Sequence, residues 1–418
     1  MVGLLGPEET LYSERSLKYS NLRVLTIRES KSWSKNVEIL SRLTNLTLER
    51  LPNLQCVCKQ DVKLQGISIL RNLRDLYIYE TGLSFLFSVS VAKCLREIRT
   101  ITVSGCPNMK AVIMDEGRNE GTYDIIEFPL LDYLSIDKCW MGKFFRYPCE
   151  KKELVTTTSY PQDAYSDSFF DQKVTFPNIT KLKIDGIECK ELWNNQIPTN
   201  SFQKLESLEL RNCDSLQRIA TSDMWKKLQR CLKKLEVISC RSIQIIYEGN
   251  GMDIETSELR RLVLRNLRNL WCIWPYDSLP NIPFPNLREV EAERCPCLEV
   301  LLPTFTAKFL GQIKDLVVES CENMKLIASH EKWEEANGTT ITFSELTVLR
   351  LFELPKFKSF LPEKYSLKFP CSKDFPSLRV LSIESCGSKP DQVLGVWPRP
   401  YFLPHECHGN EDSACHII

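Results

Sequence analysis

An α/β solenoid is the fold class this sequence predicts, with a parallel β-sheet on the concave face and short helices, 3-10 turns and loops on the convex face. Three observations carry that reading. An aliphatic triad spaced as LxxLxL returns thirteen times, successive triads most often start 26 to 28 residues apart, and seven of the thirteen units carry cysteine eight residues after the first aliphatic. At 418 residues the chain exceeds what one hydrophobic core serves, which leaves several domains or an elongated repeat array. The recurring triad selects the array.

The triads begin at Leu22, Leu43, Leu73, Ile98, Leu131, Ile179, Leu205, Leu232, Leu259, Leu287, Ile313, Leu346 and Leu378. Period two in each LxL marks a short strand with one face inward. The remainder of each unit must carry the chain back to start a parallel neighbour. A period of about 20–29 residues is that of a leucine-rich repeat, so the array is expected to bend into a horseshoe or arc. The expected domain organisation is an N-terminal flank over 1–18, about 13 irregular repeats over 19–390 with an inserted loop near 145–175, and an irregular tail over 391–418.

Three residues before the first aliphatic, seven units carry an aromatic: Tyr19, Phe128, Phe176, Phe202, Phe284, Phe343 and Phe375. Four of these are followed by proline, which lacks an N–H and fits just before the ladder begins. The cysteine column is Cys106, Cys139, Cys213, Cys240, Cys295, Cys321 and Cys386. Such a position is expected to be the turn off the strand, where a small side chain points inward and its S–H meets a backbone carbonyl. Leu51, Ile187, Leu267 and Leu354 fill the slot elsewhere, which argues for packing over reactivity. The stretches TSDMWKKLQRCL, SVSVAKCLREI and TFTAKFLGQI have apolar residues at helical spacing and are expected to form short convex helices.

Composition excludes several classes. The 54 basic and 54 acidic side chains cancel, so no net field favours nucleic acid or an anionic membrane. No apolar run is long enough for a membrane span, and the first residues do not read as a secretion signal. The 18 cysteines are therefore expected to be reduced thiols in a cytoplasmic or nucleo-cytoplasmic setting. No nucleophile and base set appears in the repeats, no cofactor is expected, and no enzyme activity is expected. The tail holds His405, His408 and His416 with Cys407 and Cys415; a zinc site and a prenylation box over the last four residues are weighed there against an unstructured tail.

Concave-face positions lie two, four and six residues after the first aliphatic. In early units they include Asp75, Tyr77, Tyr79, Tyr133 and Asp137, and in later units Arg261 and Arg265 beside an acidic set, Glu289, Glu291, Glu293, Asp315 and Glu319. Three tyrosines on one face supply rigid amphipathic contact area of the kind protein interfaces use. Immediately after the first aliphatic, Arg23, Arg74, Arg99, Lys233, Arg260, Arg288, Lys314 and Arg379 form a basic stripe on one edge. This stripe serves solubility and edge protection, and its N-terminal part offers a dock for an acidic domain.

Units such as LREIRTITVSGCPNMKAVI, FQKLESLELRNCDSLQRIA and FPNLREVEAERCPCLEVLL resemble the irregular C-terminal leucine-rich repeats of plant intracellular nucleotide-binding immune receptors, the coiled-coil NB-ARC disease-resistance proteins. The resemblance runs from about Tyr19 to Cys386. It implies a protein-recognition role in plant innate immunity, as the sensor and autoinhibitory region of such a receptor. Its partners would be a pathogen effector or monitored host protein, and an NB-ARC domain in cis or in trans. The phosphate loop GxxxxGK[ST] of that domain is absent; Gly142 and Lys143 are followed by Phe144 and lack the upstream glycine. The chain is thus expected to be a receptor fragment or a repeat-only relative, without ATP binding of its own. The alternative is a leucine-rich-repeat substrate-recognition or adaptor subunit of a ubiquitin ligase.

Overall fold

The structure is a computed structural model that describes residues 22–29, 41–54, 57, 70–115, 125–147, 167–248, 257–274, 284–303, 307–329, 343–361 and 375–387. The expected flank over 1–18, the middle of the insertion near 145–175, His330 and the tail over 391–418 lie outside them. The chain divides into two compact units, Met1–Leu216 and Gln217–Ile418.

In the first unit seven strands stack in parallel: β1 (Val24–Arg28), β2 (Asn45–Glu49), β3 (Asp75–Tyr79), β4 (Thr100–Ser104), β5 (Tyr133–Asp137), β6 (Lys181–Asp185) and β7 (Ser207–Arg211). Each is the LxL of one repeat with its flanking residues. Leu46, Leu76, Ile101, Leu134, Leu182 and Leu208 occupy one register column, and Leu48, Ile78, Val103, Ile136, Ile184 and Leu210 the next. All of these are at most 1% exposed. The second unit repeats the arrangement with six strands: β8 (Lys234–Ile238), β9 (Arg261–Arg265), β10 (Glu289–Glu293), β11 (Asp315–Glu319), β12 (Val348–Leu354) and β13 (Val380–Cys386). This is a leucine-rich-repeat fold.

The return segments carry the three expected helices, at Val89–Cys94, Ser222–Gln229 and Ala307–Gly311. They also carry short parallel strands that the sequence does not announce. Phe87–Ser88, Ile113–Met114 and Phe145–Arg146 pair in one small sheet, and Val300–Leu302 pairs with Leu326–Ala328. Repeats that stack about 4.8 Å apart on one face bring their return segments to pairing distance on the other.

Seven residues after its first aliphatic, every repeat turns through a residue with positive φ. These are Glu29, Arg50, Glu80, Gly105, Lys138, Gly186 and Asn212 in the first unit, and Ser239, Asn266, Arg294, Ser320, Glu353 and Ser385 in the second, with φ between 49 and 72°. Only two are glycine, although the left-handed region costs other residues about 1–2 kcal/mol. The turn aims its N–H at a carbonyl near the end of the neighbouring strand, as Arg50 does to Tyr79 at 2.9 Å and Ser320 to Phe352 at 2.9 Å. Those bonds continue the ladder by one rung and offset the strain.

The aromatic column forms a stacked core. Phe128 lies 5.8 Å from Phe176, Phe176 lies 5.4 Å from Phe202, and in the second unit Phe343 lies 5.1 Å from Phe375. Phe144 and Phe170 pack against Phe176, and Phe169 packs against both of them. Phe169 and Phe170 belong to the insertion read from sequence as a polar loop, yet each is 1% exposed. That reading is corrected for Ser168–Phe170, which pairs with Glu191–Trp193 as a short strand.

Cys106, Cys139, Cys213, Cys240, Cys295 and Cys321 are buried and all are free thiols. Cys213 Sγ lies 3.1 Å from the Arg211 carbonyl, and Cys295 Sγ lies 3.5 Å from that of Glu293. Thr81 fills the same slot one repeat before Cys106, and its hydroxyl meets Cys106 Sγ at 3.2 Å. Leu51, Ile187, Leu267 and Leu354 are equally buried in the slot, so what it selects is a side chain that packs inward, and the thiol adds a weak bond to the turn carbonyl where it is present. Cys386 departs from the buried assignment: it is half-buried, because it sits in the last described strand, which pairs on one side. Cys213→Ala is expected to destabilise the first unit by about 1–2 kcal/mol through the lost sulfur packing and its weak hydrogen bond. Alkylation should be slow in the native protein, because Cys213 is fully buried and the reagent cannot reach its sulfur without local opening. Peptide mapping that finds native Cys213 labelled as fast as after unfolding would contradict the assignment.

Candidate functional site

Strand geometry places Asp75, Tyr77 and Tyr79 of β3 with their side chains on the face opposite Leu76 and Ile78. All three are half-buried. Tyr77 is flanked in register by Thr47 and Thr102, and Tyr79 by Glu49 and Ser104. Tyr133 begins β5, two strands on, between Thr100 and Lys181. Thr47, Thr100, Thr102 and Ser104 are short neighbours, while Glu49 beside Tyr79 and Lys181 beside Tyr133 add a charge of each sign at the margin of the three rings. Burial, with Asp75 and the other tyrosines beside it, pushes the Tyr77 hydroxyl above its ordinary range; Tyr79 behaves likewise through burial and Tyr133. Both therefore stay neutral hydrogen-bonding groups at pH 7. A groove of about 470 Å³ continues beside Tyr133, lined by Lys181, Lys183, Ser207 and Glu209.

The acidic residues of this face are engaged with their neighbours. Asp75 accepts a hydrogen bond from Asn45 Nδ2 at 2.6 Å. Asp137 accepts one from Ser104 Oγ at 2.7 Å and also meets Asp185, whose carboxyl burial holds above the usual range. Sequence reading passed over Asp185, which is 6% exposed and hydrogen-bonded by Asn212 at 2.8 Å. Its signal was an Asp in the same repeat position as Asp137 one strand away.

In the second unit the register joins the predicted charges into a ladder. Arg261 stands opposite Glu289 and Arg265 opposite Glu293. Arg261 pairs with Glu289, and Arg265 Nε reaches Glu291 at 2.6 Å and Glu293 at 3.4 Å. The set read as an acidic patch is thus partly neutralised by those two arginines. Asp315 and Glu319 follow on β11, opposite Glu289 and Glu293, and Asp315 accepts a hydrogen bond from Thr347 at 2.9 Å. Exposed pairs of this kind contribute about 0–1 kcal/mol each. Their effect is to fix the pattern of charge that a partner meets.

Among the described residues no group of His, Cys, Asp and Glu side chains could hold a metal ion, and no helix is long and apolar enough to cross a membrane. What the concave faces offer is a firm sheet that presents aromatic rings in one unit and paired charges in the other.

Comparison with known proteins fits that geometry. A family profile described as "Plant disease resistance protein RPS2-like, leucine-rich repeats" matches residues 21–107 and 178–322. The disease resistance protein RPS5 of Arabidopsis thaliana is 24% identical over 216 residues, which is 50% of this chain and 23% of that protein. Solved structures with likeness to the chain include a TLR13–ssRNA13 complex, with 13% identity and a TM-score of 0.32 over 81% of this chain and 54% of that one. Another is the mouse RP105/MD-1 complex, with 12% identity and a TM-score of 0.23 over 87% and 70%. Scores this low bear on nothing further. The repeat strands, the cysteine turn and the profile match agree, and the chain belongs to the RPS2-like leucine-rich-repeat family of plant disease-resistance proteins.

Proposed function

We propose that the chain is a protein-recognition module of plant defence, and that it reads a pathogen effector or a monitored host protein through the concave face of the Met1–Leu216 unit. The observation that carries this is the group of Tyr77, Tyr79 and Tyr133 on one face of the sheet, among short threonine and serine neighbours with Glu49 and Lys181 at its margin. Tyrosines held by a stiff sheet lose little entropy on binding and bury large area, which is the physics of an interface anchor. The reading is of a binding module with no catalytic step, acting in the cytoplasm. As in the sensor region of a resistance protein, an NB-ARC domain in cis or in trans would be its second partner.

Affinity for a protein recovered with the chain from leaf tissue tests this. Tyr77→Ala and Tyr133→Ala are each expected to weaken binding by about 2 kcal/mol or more, roughly thirtyfold. Arg288→Ala, on the exposed edge, is expected to change it by less than about 1 kcal/mol. Circular dichroism should show all three folded. Unchanged affinity in both tyrosine variants would remove the concave face of this unit from recognition.

A further inference from the structure

The left-handed turns that end the strands of the second unit build a groove of their own. It holds about 520 Å³ and runs across five successive repeats, past Ser239, Asn266, Arg294, Ser320 and Glu353. Two residues beyond the turn, Arg241, Arg268 and Glu322 also line it. This edge is separate from the concave face.

Its charge is divided. Arg241, Arg268 and Arg294, all exposed, come from three consecutive repeats at one end, while Glu322 and Glu353 stand at the other. Arg294 pairs with Glu293, and Ser320 Oγ donates to Glu353 at 2.7 Å. Arg268, the Asn266 amide and the Ser239 hydroxyl have no hydrogen-bond or ion-pair partner among the described residues. The cationic end therefore presents donors whose natural complement is a row of carboxylates.

Spacing selects the form of that row. Neighbouring repeats lie about 4.8 Å apart, so the first and third arginine-bearing repeats are separated by about 9.6 Å. A polyproline II segment rises about 3.1 Å per residue with three residues per turn, which returns a side chain to the same face every 9.3 Å or so. Acidic residues three apart on such a segment match the step between those two repeats, with Arg241 reaching in from two residues beyond its turn and Arg294 from the turn itself. A nucleic-acid strand fits poorly, because its unbroken run of phosphates would meet Glu322 and Glu353.

We propose that this groove binds an extended acidic segment of a protein partner, its carboxylates over Arg241, Arg268 and Arg294 and a basic residue toward Glu322 and Glu353. The site is independent of the tyrosine face. The probe is a fluorescein-labelled peptide in which Glu-Pro-Pro, repeated, is followed by Lys-Pro-Pro-Lys, titrated against the full chain by fluorescence anisotropy at low salt. Binding is expected, weakened about tenfold or more by Arg268→Glu and unaffected by Arg288→Glu on the opposite edge of the strands. The double variant Arg241→Glu/Arg268→Glu should abolish it while keeping the wild-type circular dichroism. No binding at millimolar peptide, equal affinity in the double variant, or an oligothymidylate bound as tightly as the peptide would each overturn the proposal.

Discussion

Replacing Phe176 by alanine is expected to lower the stability of the Met1–Leu216 unit by about 3–5 kcal/mol. The side chain is fully buried, and its ring centroid lies within 6 Å of those of Phe128, Phe144, Phe170 and Phe202. Four aromatic neighbours cannot all move into the space it leaves, so the variant carries both the lost transfer energy and a residual cavity. Edge-to-face and stacked contacts of about 0.5–1.5 kcal/mol each disappear as well. The repeats contact mainly their neighbours, so unfolding need not be two-state. The measurement is therefore hydrogen exchange resolved by peptide, not one thermal midpoint. Protection should fall across β5 to β7 and hold in β9 to β12. A loss below about 1 kcal/mol in the first unit would show that this aromatic column is not its core.

The strands were legible because each rests on three aliphatic residues whose spacing admits one local structure, and the observed registers pair those triads one to one. The cysteine column was legible for the same reason, since a repeat aligns chemically similar slots even where Thr81 or Leu51 replaces the thiol. The left-handed turn was not. Its physical signal is glycine, and only Gly105 and Gly186 among its members show it; in the other repeats the ladder hydrogen bond carries the strain, and Glu, Arg or Ser reveals nothing. Phe169 and Phe170 were hidden by their surroundings, a polar segment in which two adjacent aromatics do not suffice to announce burial. The concave positions were assigned by period two alone, which fixes the face. Which arginine meets which glutamate depends on register across loops of some twenty residues, so Arg265 with Glu291 could emerge only from the fold.

Gly82→Ala is the second large effect, and it follows from a rule the repeats obey twice. Gly82 and Gly387 each stand nine residues after the first aliphatic of their repeat, Leu73 and Leu378. Each faces a preceding repeat whose turn reads Leu-Pro, at Leu51-Pro52 and Leu354-Pro355. Their N–H groups donate to the leucine carbonyls at 3.0 and 2.8 Å. This draws the backbones so close that a Cβ on Gly82 would lie 1.9 Å from the Pro52 carbonyl oxygen, and one on Gly387 2.0 Å from that of Pro355. The obstacle is backbone, held by a proline with fixed φ, and no rotamer can relieve it. Gly82→Ala is accordingly expected to cost about 3 kcal/mol, the upper end for overpacking. Gly142→Ala, whose Cβ would meet the Glu188 carbonyl at 3.1 Å, should cost about 1 kcal/mol. Adding Pro52→Ala should recover part of the Gly82→Ala loss by freeing the turn to shift, and a double-mutant cycle on the local opening energies from peptide-resolved hydrogen exchange reads that coupling. A Gly82→Ala variant within about 0.5 kcal/mol of wild type would mean that the Leu-Pro turn yields more readily than its geometry allows, and the pairing of that turn with a following glycine would lose its physical basis.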